Sequence, residues 1–149
     1  MSKIILLDAG PLGLVTNPRA TPENTKCSIW MQTRLGEGTR VLIPAIADYE
    51  VRRELLRAGK TAGIDRLNAL WNQAGYDPVT PDVLLQASSF WAQVRNMGRR
   101  TAPDASLDGD VILAAHAVLL SRRGHQTVVA TTNVKHLELF VEARLWRDI

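Results

Sequence analysis

Cysteine is almost absent: Cys27 is the only one. A lone thiol excludes an internal disulfide and a Cys-rich zinc site. The three histidines, His116, His125 and His136, are scattered without metal-ligand spacing and read as structural or exposed. No apolar run approaches the roughly 20 residues of a membrane-spanning helix. Met1-Ser2-Lys3 leads straight into Ile4-Ile5-Leu6-Leu7, which leaves no room for a signal peptide, so the expected compartment is the cytoplasm with no membrane partner. Aromatic residues make up only 5%. Trp71 and Trp91 fall at core spacing and read as packing rather than as platforms for bases. Internal repeats, low-complexity tracts and long linkers are all missing. Neither sign of charge dominates: the net charge is only +3. That balance is compatible with a polyanionic partner, yet many basic proteins bind none.

What is present is ordinary for a globular chain: 46% hydrophobic and 22% charged residues in 149, enough for one domain, 1–149, with a real core. Lys3 to Leu7 is a continuous apolar run, the pattern of a strand buried on both faces. It ends at Asp8-Ala9-Gly10-Pro11. Leu12 to Pro22, punctuated by Gly13, Asn17 and Pro18, reads as a loop. A helix is expected over Thr25 to Leu35 and a second buried strand over Thr39 to Ile43. Pro44 then suits the start of a helix from Ala45 to Ala58, whose apolar stripe is Ala47, Val51, Leu55 and Ala58. Glu50 borders that stripe, and Arg52, Arg53 and Arg57 make the helix surface basic. A further helix spans Gly63 to Ala74 and a short strand Tyr76 to Val79. The next helix, Pro81 to Met97, has Val83, Leu84, Ala87, Phe90, Trp91 and Val94 on its apolar face. Gly98-Arg99-Arg100-Thr101 is a basic break, and Ala102 to Leu107 a loop. Gln126 to Thr131 is another buried strand ending in Thr131-Thr132-Asn133. A short helical segment over Val134 to Val141 and an edge strand within Ala143 to Ile149 complete the chain. Strands alternating with helices indicate an α/β fold with a mostly parallel sheet.

The most informative stretch is Leu107-Asp108-Gly109-Asp110 and the apolar run that follows it. From Val111 to Leu120 the only polar side chain is His116, so the helix is expected to be buried. Asp108 is a good N-cap type, Asp110 would lie in the first turn, and Arg122, Arg123 and Gly124 suit the helix end. Asp110 has two readings: a first-turn acid that complements the helix dipole, or a ligand for a metal.

Asp8 ends the first strand, Glu50 stands on the helix after the second, Asp110 opens the buried helix and Asn133 ends a later strand. In a doubly wound sheet such positions can meet outside the carboxyl ends of the strands. Carboxylates packed together repel unless a hard cation joins them, and Mg²⁺ or Mn²⁺ suits oxygen ligands. Ile4-Ile5-Leu6-Leu7-Asp8, Ile43-Pro44-Ala45-Ile46-Ala47-Asp48-Tyr49-Glu50, Asp110-Val111-Ile112-Leu113-Ala114-Ala115 and Thr131-Thr132-Asn133, in this order, resemble the PIN-domain ribonucleases of VapC-type toxin–antitoxin pairs. The resemblance covers essentially the whole chain. It implies a three-layer α/β/α sandwich and a Mg²⁺- or Mn²⁺-dependent endoribonuclease with Asp8, Glu50 and Asp110 as catalytic acids. It also implies RNA as substrate, a cognate antitoxin and a homodimer.

Many PIN domains carry an acid where this chain has Asn133, which keeps a carbonyl ligand but loses a charge. Asp108 is the residue that could compensate, and Thr131 and Thr132 are either hydrogen-bond partners of the site or plain turn residues. Arg52, Arg53, Arg99 and Arg100 are candidates for holding RNA phosphates. Asn133 also raises an alternative function, a PIN-like RNA-binding module with weakened catalysis. A haloacid-dehalogenase-like phosphatase would need a second Asp two residues after Asp8, where this chain has Gly10. A response-regulator receiver would need an acidic pair before its phosphorylated Asp and a late Lys after a strand, and neither is in place.

Overall fold

The computed structural model describes residues 3–98 and 104–149, with backbone alone at 104 and 105. The described elements are β1 (Lys3–Leu7), α1 (Ala9–Thr16), α2 (Pro22–Gly36), β2 (Arg40–Pro44), α3 (Ala45–Arg57), α4 (Thr61–Gln73), β3 (Gly75–Asp77), α5 (Pro81–Asn96), α6 (Asp104–Arg122), β4 (Gln126–Thr131) and β5 (Ala143–Leu145), with 3₁₀ turns at Val134–His136 and Trp146–Asp148. The five strands form one sheet in the order β3-β2-β1-β4-β5, and every pairing is parallel.

The apolar runs predict buried strands, and the burial is complete at the centre of the sheet, where Ile4, Ile5, Leu6 and Leu7 are all fully enclosed. Successive strand residues serve opposite faces. Ile5 and Leu7 pack with Val41, Ile43 and Val128 against Leu12, Trp30, Met31 and Leu67 of α1, α2 and α4. Ile4, Leu6 and Val129 face the other way, against Leu113, Ala117 and Leu120 of α6. Helix α5 covers α6 rather than the sheet, through Val83, Ala87, Phe90 and Val94. The expected α/β/α sandwich is therefore present, with an all-parallel sheet.

Several local expectations change. Residues 9–16 are a helix rather than part of a loop, because Asp8 caps it through the Ala9 N–H and Pro11 lies in the first turn, where its missing N–H is not needed. The helix of Asp110 starts at Asp104, not after Asp108. Asp108 is therefore not its N-cap, and Asp110 sits in the second turn. The helix end is as expected, with Gly124 at φ +94 and the His125 N–H reaching back to the Leu120 carbonyl. Leu84, Trp71 and Trp91 are 49%, 43% and 38% exposed, so they are not core. Trp71 instead stacks on Tyr76 and donates its indole N–H to Asp48 at 2.9 Å. His116 is fully buried, with Nδ1 2.7 Å from Asp77 Oδ2, and so fastens the edge strand β3 to α6.

Candidate active site

Strand order places the site. From β1 the chain passes to β2 on one side, and only later returns to β4 on the other. The carboxyl ends of β1 and β4 thus flank a topological switch point, where a parallel sheet leaves a crevice. Asp8 follows β1 at this edge, and its two carboxylate oxygens are held by different elements. Oδ1 accepts from the Ala9 N–H at 2.7 Å, and Oδ2 accepts from the Thr131 hydroxyl at 2.7 Å. Thr131 is fully buried, and its hydroxyl also accepts from the Asn133 N–H at 3.0 Å. A chain of hydrogen bonds therefore runs from the turn after β4 to the first acid.

Asp8, Glu50, Asp110 and Asn133 line one open cleft of about 300 Å³, together with Arg53, Ser106 and His136. Glu50 enters from the second turn of α3. It approaches α6 where that helix has no side chain: a Cβ on Gly109 would fall 3.2 and 3.3 Å from the two Glu50 carboxylate oxygens. Burial raises the proton affinity of Glu50, the charges of Asp8 and Asp110 raise it further, and Arg53 opposes them. Asp110 is pushed up to about 6, chiefly by burial, with His136 drawing it down and Asp8 pushing it up. Its Oδ2 lies 3.3 Å from His136 Nδ1.

The chemistry of this donor set fits a hard divalent cation: three carboxylates and an amide face one cleft, and two of the acids are strained toward neutrality by burial and mutual repulsion. Among the described residues, no three His, Cys, Asp or Glu side chains yet converge tightly enough to cage an ion. The shared cleft is as far as the expected convergence goes in this conformation.

Other candidates lie elsewhere. Residues two apart on a helix point about 200° apart. Asp108 accordingly turns away from Asp110 and lines a separate groove with Leu84, Ala87 and Trp91, so it does not stand in for the charge that Asn133 lacks. Arg52 is not available to phosphates either. Asp48, one turn earlier, is buried and takes both Nε and Nη2 of Arg52 at 2.8 and 3.1 Å, while Nη1 donates to Asn68 at 2.8 Å. Arg53 does reach the cleft, with its guanidinium 5.0 Å from the centre of the Tyr49 ring. Thr132 is exposed, and its side chain lies so close to Gly10 that a Cβ there would require Thr132 to shift. Arg99 and Arg100 fall outside the described residues. Two cleft residues escaped the sequence reading, Ser106 and His136. The only signal for His136 was its place three residues after Asn133, on the turn that leaves the same strand end.

No protein-family model matches the sequence, and no curated protein matches it. Solved structures do. The structure of VapBC2 from Rickettsia felis bound to a promoter DNA fragment matches with a TM-score of 0.72 at 12% identity, over 96% of this chain and 98% of that one. FitAcB from Neisseria gonorrhoeae matches with a TM-score of 0.70 at 19% identity, over 97% and 99%. The Mycobacterium tuberculosis protein VapC20, described as a sarcin-ricin loop cleaving toxin, gives 0.60 at 18% identity, over 93% and 97%. Likeness of this extent at such low identity shows the fold alone: the chain has the PIN-like α/β/α sandwich of these proteins.

Proposed function

We propose that this protein is a Mg²⁺- or Mn²⁺-dependent endoribonuclease and the toxin of a toxin–antitoxin pair. The observation that carries the reading is the meeting of Asp8, Glu50 and Asp110, with Asn133, in one cleft at the switch point of the sheet. The name of the sarcin-ricin loop cleaving neighbour supports RNA as the substrate, and the VapBC complexes among the neighbours support an antitoxin partner. A homodimer acting in the cytoplasm belongs to the same reading.

Asp8, Asp110 and Glu50 would hold the ion, with the Asn133 carbonyl as a neutral donor. A bound divalent ion supplies water activation and stabilises charge that develops on a phosphodiester. The protein's own groups do the rest. Thr131 and the Ala9 N–H fix Asp8 in orientation. Burial and the neighbouring acids raise the proton affinity of Glu50, which suits its carboxylate to accept a proton in the cleft. Arg53 puts a fixed positive charge at the cleft for the scissile phosphate.

The test is cleavage of an RNA panel, including a sarcin-ricin stem-loop, with Mn²⁺, with Mg²⁺ and with chelator. Metal-dependent fragments that vanish with Asp8→Asn support the reading, and cleavage indifferent to chelator would reject it. Asn133 favours a second reading, an RNA-binding module with weakened catalysis. Metal-independent RNA binding without fragments would select that one.

A further inference from the structure

The acid cleft does not end at Asp110 and His136. On the far side of these two residues lies a second cavity of about 210 Å³, which they also line. Its remaining described walls, Lys135 apart, are apolar: Val94 from α5, Leu107 from α6, and Leu139 and Phe140 from the segment after the 3₁₀ turn. Lys135 supplies the one fixed positive charge of its described lining. Val94 and Leu107 are buried at the cavity's base, while Leu139 is 51% exposed at its mouth. Phe140 is fixed by its ring contact with Phe90, at 4.8 Å between centroids.

This combination is unusual beside a cluster of acids. An anion or a hydrated ion would gain nothing from Val94, Leu107 and Leu139. A drug-sized ligand needs about 300–1,000 Å³, more than the cavity offers. A flat heterocycle fits both the size and the walls, with its polar edge turned to Lys135 or His136 and the phosphate of its nucleotide toward Arg53 in the acid cleft. We infer that this cavity is a nucleobase subsite: it receives the base of the nucleotide next to the scissile phosphate and gives the enzyme a base preference at that position. The inference rests on the proposed RNA-cleaving role of the neighbouring cleft. The wall shared through Asp110 and His136 is what sets the base and the cut phosphate side by side.

Two measurements test it separately from that role. In the first, the full-length protein is labelled at its Val and Leu methyls and titrated with each of the four nucleoside 5′-monophosphates. Shifts at Val94, Leu107 and Leu139 that Leu139→Trp abolishes are expected, whether or not the protein cleaves anything. Absence of shifts at these methyls for all four nucleotides overturns the subsite. In the second, RNAs differing in the base on either side of one cleavage site are compared by kcat/KM. A preference on the order of tenfold is expected, the scale on which an apolar pocket discriminates. It should collapse in Leu139→Trp, which fills the mouth, and change in Leu139→Ala, which widens it. Half-exposed Leu139 can take both changes without loss of the fold. Cleavage without base preference, or a preference that both variants keep, overturns the inference while leaving the nuclease reading intact. No cleavage by the parent protein would overturn that reading, and the methyl shifts would still decide the subsite.

Discussion

The hydroxyl of Thr131, at the end of β4, donates to Oδ2 of Asp8, at the end of β1, at 2.7 Å. These side chains are far apart in sequence and meet because β1 and β4 are neighbours in the sheet. The bond crosses the switch point and orients the first acid of the cleft.

Thr131→Val keeps the shape of this buried side chain and removes the donor. A hydrogen bond to a charged group is worth about 1.5–3 kcal/mol, so urea unfolding should show a loss of about that size. Manganese affinity, read by calorimetry, should fall as well, and Thr131→Ser should restore both. A valine variant as stable and as tightly metal-bound as the parent would show that Asp8 does not need the tie.

Asp110 gives the metal-free protein a pH dependence of defined sign. Its pKa is raised to about 6 in the folded state from the ordinary aspartate value of 3.8. The folded form therefore binds the proton more tightly, and stability should rise as the pH falls from about 6 toward 4. Thermal melts without metal should show this rise, and Asp110→Asn should flatten it while leaving stability at pH 7 equal or higher by about 1 kcal/mol, since repulsion is relieved with shape kept. Manganese binding should weaken below about pH 6 as protons compete at Asp110. An Asp110→Asn protein that binds Mn²⁺ like the parent and melts well below it would make Asp110 a structural residue.

Gly109→Ala separates stability from activity. Alanine favours a helix over glycine by up to about 1 kcal/mol, but its Cβ would press on the Glu50 carboxylate. Glu50 must then move by a few tenths of an ångström. The expected outcome is a melting temperature equal to or above the parent's, with a slower cleavage rate. Unchanged cleavage would mean that the position of Glu50 is not critical.

Cys27 should be chemically silent in the folded protein. It is fully buried, and burial, aided by the charge of Glu23, pushes its thiol up to about 12. Alkylation by iodoacetamide at pH 8 should proceed only as fast as the chain opens, and accelerate in step with urea unfolding. Rapid labelling under native conditions would contradict this packing.

The sequence alone determined the sheet and the placing of its acids along the chain. Continuous apolar runs such as Ile4 to Leu7 and Val128 to Ala130 can be satisfied only by strands covered on both faces, and Asp8 had to stand where the first of them ends. Helices α3 to α5 were legible from their 3.6-residue period. Helix α1 was hidden because Gly10, Pro11 and Gly13 act as breakers in isolation, although a capped first turn tolerates proline. Tertiary structure alone decided which polar side chains face one another. Arg52 and Arg53 are adjacent in sequence, yet buried Asp48 claims the first and the cleft receives the second. Asp108 and Asp110 are equally acidic, yet the start of α6 turns one to the groove under Trp91 and the other to Asp8 and Glu50. His136 joined the site for the same reason. Period and composition fix the local backbone, whereas contacts between side chains depend on strand order and on the rotation of each helix, which only the packed core sets.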